Sequence, residues 1–474
     1  MIMCITQNIS QALQAEQSKL NKYGMMALST ALSLYLGFFV SAGVAAYWIL
    51  SNLMSIAQMY ILNAVISPKK YIDYAALEES KKKLEAIEGS EKSMDRELKK
   101  RQHDDYKRFF SIANKHVVFY SEQSGFYKYF KGLIEYLISH SNITIHYVTS
   151  DPNDVIFDIA KEQKQIKPYF IGENKLISLF LKMDAKIVVM TMPDLDNFHI
   201  KRSYVSSDVE YIYMDHGLSS INMLTRKGAV DHFDTVFCAG QHIIDEIKAT
   251  EEHYGLPHKN LIAYGYGFMD GLIKICSTDP TIASGDFILL APSHQKDNIL
   301  DSCLEPVIEG LKSTGYKVIL RPHPQYIRRY PDKWKRISAQ YSSDPQVITE
   351  SDFSSNTSIY QAALVVTDWS NIGYEYSFST LRPVMFVNTP MKVINPDYKE
   401  IGVVPIDLSL RSEIGIEVTG RSADEVAEAA EKLLKTKCFS AEQISEARDR
   451  SLFNVGKSDE VGGKYILSRL SQNK

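Results

Sequence analysis

The sequence predicts two Rossmann-like α/β halves, each on a mostly parallel sheet, placed behind an apolar N-terminal segment. Three observations lead there. The 474 residues suggest about three folding units at roughly 150 residues each. From His116 onward, short apolar runs bounded by turn residues alternate with helical stretches, the pattern of βαβ units. And residues 23–68 form a run of 46 residues with no charge at all.

The apolar run comes first. Met25 to Leu50 exceeds the ~20 residues that span a bilayer core, and Tyr47 and Trp48 sit near its end, where amphipathic rings favour an interface. Residues 1–70 are therefore expected to be a membrane anchor, with a span over about 25–50. The shorter segment 53–66, interrupted by Gln58 and Asn63, is either a second span or an interfacial helix. Lys69, Lys70 and Lys81 to Lys83 follow, and the positive-inside tendency puts everything downstream on the cytoplasmic side of the inner cell membrane. Residues 71–112 mix charges, ten acidic and ten basic between 71 and 110, and read as a solvated helical stalk.

The strand runs of the first half are His116–Tyr120, Ile143–Val148, Lys186–Met190, Val209–Met214 and Thr235–Cys238. Those of the second are Phe287–Leu290, Lys317–Leu320, Ala363–Val366 and Pro383–Val387. The polar stretch Ser277 to Gly285 divides them, giving halves over 113–280 and 281–474.

Composition narrows the function. With 53 Lys plus Arg against 57 Asp plus Glu, the formal charge of -4 provides no chain-wide field for nucleic acid. The five cysteines lie far apart, with no CxxC pair and no Cys/His cluster, which argues for a reducing compartment and against a metal site. Gly265-x-Gly267 lacks the third glycine of a dinucleotide fingerprint, so an NAD enzyme is rejected.

In open α/β sheets ligands sit beyond the carboxyl ends of the strands. Three polar segments follow strands there. Asp215-His216-Gly217 places an imidazole suited to general-base work, with Asp215 able to tune its basicity and Gly217 expected to let the backbone turn sharply; a strand-end histidine satisfied by backbone is the alternative. Arg321-Pro-His323-Pro holds a guanidinium and an imidazole on a stiff backbone suited to phosphate. Thr367-Asp368-Trp-Ser370-Asn371 reads as a strand end entering a helix, whose first N–H groups and hydroxyls attract phosphate oxygens. Glu375, on that helix, could accept bonds from ribose hydroxyls or stand solvated.

Together these segments resemble the CDP-glycerol glycerophosphotransferases, the family of teichoic-acid primases and polymerases and related capsule polymerases. The resemblance covers roughly residues 115–400 and is carried by His216-Gly217, Arg321 to Pro324, Thr367 to Ser370, Glu375 and Arg382-Pro383, in that order. It implies a GT-B fold, two Rossmann-like domains facing a cleft, and metal-independent transfer of glycerol phosphate or another alditol phosphate from a CDP-activated donor. No cofactor beyond that donor substrate is implied. The acceptor would be a hydroxyl of a cell-surface polymer or lipid-linked precursor at the membrane. By the resemblance His216 is the base and His323 a second catalytic group on the donor pyrophosphate. Arg321, Thr367, Asp368, Ser370, Asn371 and Glu375 line the donor side, and Asp215 and Gly217 the acceptor side.

The sequence departs from the family where Leu218-Ser219-Ser220 replaces the usual Pro and Lys, and where Ala291 to Gln295 (APSHQ) replaces a P-T-W-R-like element. Lys and Arg at 328, 329, 333, 335 and 336 form a basic cluster suited to a polyanion or to anionic headgroups. Two other readings stay open: a nucleotide-sugar glycosyltransferase or epimerase of the same architecture, and a catalytically degenerate membrane scaffold.

Overall fold

Among the described residues, two sheets of seven and six strands pair in parallel throughout. The computed structural model describes residues 31, 35, 39–65, 95–198, 200–278, 285–351, 356–435 and 438–472. The chain divides into two units, Met1–Ser93 and Met94–Lys474.

In the first unit the described element is the helix Ala42–Val65, with Tyr47, Leu50, Leu53, Met54, Tyr60 and Ile61 exposed along it. The expected span over 25–50 lies largely outside the described residues, and most of the segment 71–112 does too. Among the described residues, no helix is long and apolar enough to cross a membrane. Ser51, Asn52, Gln58 and Asn63 interrupt the apolar sequence of Ala42–Val65, so the expected spanning anchor has no support in that helix.

The second unit holds both sheets. The first contains β1 (Lys115–Ser121), β2 (Ile145–Thr149), β3 (Ile166–Phe170), β4 (Ala185–Met190), β5 (Glu210–Met214), β6 (Thr235–Cys238) and β7 (Asn260–Ala263), in the order β3-β2-β1-β4-β5-β6-β7. The second contains β8 (Phe287–Leu290), β9 (Lys317–Leu320), β10 (Val347–Thr349), β11 (Leu364–Thr367), β12 (Val384–Val387) and β13 (Gly415–Val418), in the order β10-β9-β8-β11-β12-β13. Helices cover both faces of each sheet, so alternate residues of one strand enter different cores. Val118 and Tyr120 join one cluster while Val117 and Phe119 join another. In β11, Leu364 and Val366 face one side and Val365 the other. Burial on both faces is why these strands read as continuous apolar runs.

Two segments sit differently from expectation. The helix Arg96–Phe110, expected to end a solvated stalk, is part of the first half. Gln102, Asp105 and Phe109 recur on one face and are buried. Phe109 enters the core, Asp105 Oδ2 accepts from the Phe170 N–H at 2.9 Å, and Gln102 Oε1 accepts from the Gly172 N–H at 2.8 Å. Charges on the outer face mask this amphipathic side. The C-terminal helix Ser458–Gln472, expected with the second half, returns to the first. Ile466 and Leu470 pack with Val117 and Phe119, while Tyr465 and Arg469 donate to Glu210. Gly132 lets this helix approach, since a Cβ there would lie 1.8 Å from Asp459 Oδ2.

Candidate active site between the two halves

The site is assembled from loops at the carboxyl ends of strands near each topological switch point, β1/β4 in the first sheet and β8/β11 in the second. On the first-half side, the fully buried β5 delivers Asp215, His216 and Gly217. Asp215 Oδ1 accepts from the His216 N–H at 2.7 Å and from Tyr213 Oη at 3.5 Å. Burial lifts its carboxyl to about 7, helped by the Glu246 and Asp407 charges.

The His216 ring lies edge-on to Phe126 and Tyr129, both 5.5 Å away between centroids. Its side chain keeps 40% exposure, but Nδ1 is enclosed without a hydrogen-bond partner, 3.7 Å from Asp215 Oδ1. Desolvation, then the Lys392 and Lys128 charges, pull the imidazole down to about 4. A ring on this footing is neutral at pH 7, the state a proton acceptor needs.

On the second-half side, His323 caps the short helix Pro324–Arg329, its Nδ1 accepting from the Gln325 N–H at 3.1 Å. That bond occupies the Nδ1 lone pair, so the neutral ring carries its proton on Nε2 as a donor. Its ring stands 4.5 Å from that of His294. Burial and the cations Lys392 and Arg329 lower both, His323 to about 3 and His294 to about 2.

Arg321 is buried, and its Nη1 donates to Ser358 Oγ at 2.5 Å and to Glu350 Oε1 at 3.2 Å. Thr367 Oγ1 donates to the Ala291 carbonyl at 2.7 Å. Asp368 accepts from the N–H groups of Ser293, Trp369 and Ile299 and from Thr389 Oγ1. Thr367 and Asp368 thus hold the 291–299 loop, which carries His294, against the end of β11. No side chain caps the helix Ile372–Thr380.

Asn371 leaves that helix start to bridge the halves. Its Oδ1 accepts from the Leu218 N–H at 3.1 Å and from Ser219 Oγ at 2.8 Å. Gly217 is needed here for room and not for a turn: its φ is not positive, yet a Cβ would lie 2.2 Å from Asn371 Nδ2. A second bridge runs from the Ser220 N–H to Asp407 Oδ2 at 2.7 Å. Glu375, read above as a ribose contact or a solvated carboxylate, is not solvated: it is buried, and its Oε1 meets Tyr266 Oη at 2.9 Å.

Sequence reading missed Lys128, Lys392, His294 and Tyr266. Lys128 is the second residue of the helix Tyr127–His140, its Nζ 4.7 Å from the centre of the Phe268 ring and 5.0 Å from that of Tyr129. Burial pushes Lys128 and Lys392 below the usual lysine range. His294 stands in the segment noted as departing from P-T-W-R, which was the one available signal.

The family model described as CDP-Glycerol:Poly(glycerophosphate) glycerophosphotransferase matches residues 105–393, more than half of the chain. The chain belongs to this family. It is a CDP-glycerol glycerophosphotransferase-like enzyme with two Rossmann-like α/β domains. Among solved structures, the wall teichoic acid polymerase TagF is similar with a TM-score of 0.52 at 14% identity, over 76% of this chain and 89% of that one. The UDP-GlcNAc 2-epimerase of Methanocaldococcus jannaschii is similar with a TM-score of 0.51 at 16% identity, over 76% of this chain and 99% of that one. At such identities both likenesses speak for the fold alone. No curated protein sequence matches the chain. The loops thus bring the neutral imidazoles of His216, His294 and His323 within electrostatic range of Lys392, and those of His216 and His323 within range of Lys128 as well.

Proposed function

We propose that the enzyme transfers glycerol phosphate, or another alditol phosphate, from its CDP-activated form to a hydroxyl of a surface polymer or its lipid-linked precursor. The observation that carries this reading is the Asn371 bridge, which holds the loop bearing His216 against the Thr367–Asn371 segment.

His216 takes the acceptor proton. Asp215 beside Nδ1 favours the tautomer with the proton there, leaving Nε2 as the free base. The acceptor oxygen bonds to the alditol-bearing phosphorus, the bond from that phosphorus to the bridging oxygen breaks, and CMP departs with the electron pair. His323 Nε2–H, Lys128 and Lys392 face the charge that grows on the leaving phosphate. Ser370 and the uncapped start of helix Ile372–Thr380 supply further donors, while Arg321, Thr367 and Asp368 keep the surrounding loops in place. This set of cations supports a transfer without a metal ion.

We further propose that the uncharged run 23–68 holds the enzyme at the cytoplasmic face of the membrane, where a lipid-linked acceptor is confined. Confinement raises the effective concentration of the acceptor.

Incubation of purified enzyme with CDP-glycerol, CDP-ribitol, UDP-sugars and CMP-sugars, each with a synthetic lipid-linked acceptor, tests the chemistry. CMP release with a mass gain of one alditol phosphate per transfer is expected, unchanged by EDTA. Turnover of a nucleotide sugar alone would defeat it. Carbonate extraction of membranes tests the anchor, and release into the soluble fraction would remove that part.

A further inference from the structure

Tyr266 stands immediately before the helix Gly267–Thr278, and its hydroxyl meets two oxygens. One is the His216 carbonyl at 3.0 Å and the other is Glu375 Oε1 at 2.9 Å. A phenol has a single proton to donate. Were Glu375 ionised, both neighbours would be pure acceptors, and one pair of oxygens would face each other lone pair to lone pair. A neutral Glu375 removes the conflict. Its acid O–H donates to Tyr266 Oη, and the Tyr266 O–H donates to the His216 carbonyl.

The surroundings support a neutral acid. Tyr266 is buried and stacks on Tyr129 at 6.5 Å, while Glu375 is only 7% exposed. The groups facing Glu375 are Tyr266, Tyr129, Lys128 and Arg321. Lys128, a hydrogen bond donated by Tyr266 and Arg321 would each favour the carboxylate, but desolvation is the largest influence and moves the carboxyl above its usual range.

We propose that Glu375 is a neutral acid whose proton, passed on through the Tyr266 hydroxyl, fixes the main chain of His216. The second half thereby sets where the base stands in the first. Glu375 and Tyr266 are positioning residues, and Glu375 is not a ligand of the donor ribose. This rests on the reading of His216 as the base.

The test compares Glu375→Ala, Glu375→Gln and Tyr266→Phe in the full chain, after thermal melting has shown each to be folded. Glu375→Ala and Tyr266→Phe are expected to lower kcat by about tenfold or more, as misplacement of a catalytic group does, with KM for CDP-glycerol little changed. Glu375→Gln, whose amide N–H also donates to Tyr266, should recover most of the kcat lost in Glu375→Ala. A Gln variant as slow as the Ala variant, or a rise in donor KM common to both, would overturn the proposal in favour of an ionised ligand.

A second readout needs no substrate. The infrared difference between the starting protein and Glu375→Gln at pH 7 should show loss of a neutral carboxylic-acid carbonyl band; loss of carboxylate bands instead refutes the proposal. If the starting enzyme releases no CMP from CDP-glycerol, the transferase reading fails, while the infrared result still decides the state of Glu375.

Discussion

The carboxamide of Asn371 occupies the space a side chain at Gly217 would need, 2.2 Å from where that Cβ would stand. Gly217 follows the base candidate in the first half, and Asn371 begins a helix of the second. One residue without a side chain and one with an amide therefore set how closely the two loops approach.

Gly217→Ala should cost about 1–3 kcal/mol, the range of an overpacked core. Its melting temperature should fall together with kcat. Adding Asn371→Ala to that variant should restore part of the melting temperature by vacating the contested space. Thermal scans of the two single variants and the double variant check this, and a simple sum of two losses would count against the contact.

His216→Ala should lower kcat by about 10²–10⁴, the usual share of a general base. The acid limb of the kcat/KM profile should lie near the lowered imidazole value of about 4, because protonated His216 cannot accept the acceptor proton. As pH falls, protonation of Asp215, lifted to about 7, should trim activity by loosening its hold on the tautomer, and full loss should come only toward about 4. Lys392 helps to lower the imidazole, so Lys392→Met should move the limb to higher pH. Initial rates across the pH range, referenced to an acid-stable control enzyme in the coupled assay, report both.

Lys128→Met and Lys392→Met each remove one cation from the candidate site while nearly keeping length. Losing a charged hydrogen bond to phosphate at about 1.5–3 kcal/mol should weaken CDP binding by roughly ten- to a hundredfold. Titration calorimetry with CDP measures it, and cytidine should bind both variants as it binds the starting enzyme. Equal weakening for cytidine and CDP would point to a general loss of structure.

Phe109→Ala should destabilise the second unit by about 3–5 kcal/mol, as large core truncations do. The urea midpoint should fall accordingly. A chain starting at residue 113, where the sequence alone would begin the first half, should be recovered poorly, since it lacks Phe109 and the bonds from Gln102 and Asp105 to the end of β3.

How much was legible follows from where each element sits. The nine apolar runs correspond to nine interior strands, β1, β2, β4, β5 and β6 in one sheet and β8, β9, β11 and β12 in the other. The four strands without a run, β3, β7, β10 and β13, are the four sheet edges. Interior strands of a parallel sheet are apolar on both faces, whereas an edge has one neighbour and tolerates Lys167 and Pro168 in β3 or exposed Asn260 and Ala263 in β7.

The candidate site divides in the same way. His216, His323 and Asn371 were visible because each follows a strand, and strand ends are local features of the chain. Thr367, Asp368 and Arg321 were visible for the same reason, but the bonds they make are to Ala291, Ser293 and Ser358, partners no spacing reveals. Lys128 looked like any helix lysine. Tyr266, which belongs to the first half, gained significance only when Glu375 of the second half arrived beside it.

By itself, then, the sequence determined the two α/β halves, the interior strands, the strand-end loops of the candidate site and the family. Each of these rests on residue periodicity or on neighbours in the chain. Tertiary structure alone decided which side chains stay open to a ligand and which are consumed in bracing, that Arg96–Phe110 and Ser458–Gln472 belong to the first half, and that Gly217 serves approach and not turning. Those outcomes depend on contacts between segments far apart in sequence, such as the 154 positions from Gly217 to Asn371 (371 minus 217), and only packing brings such segments together.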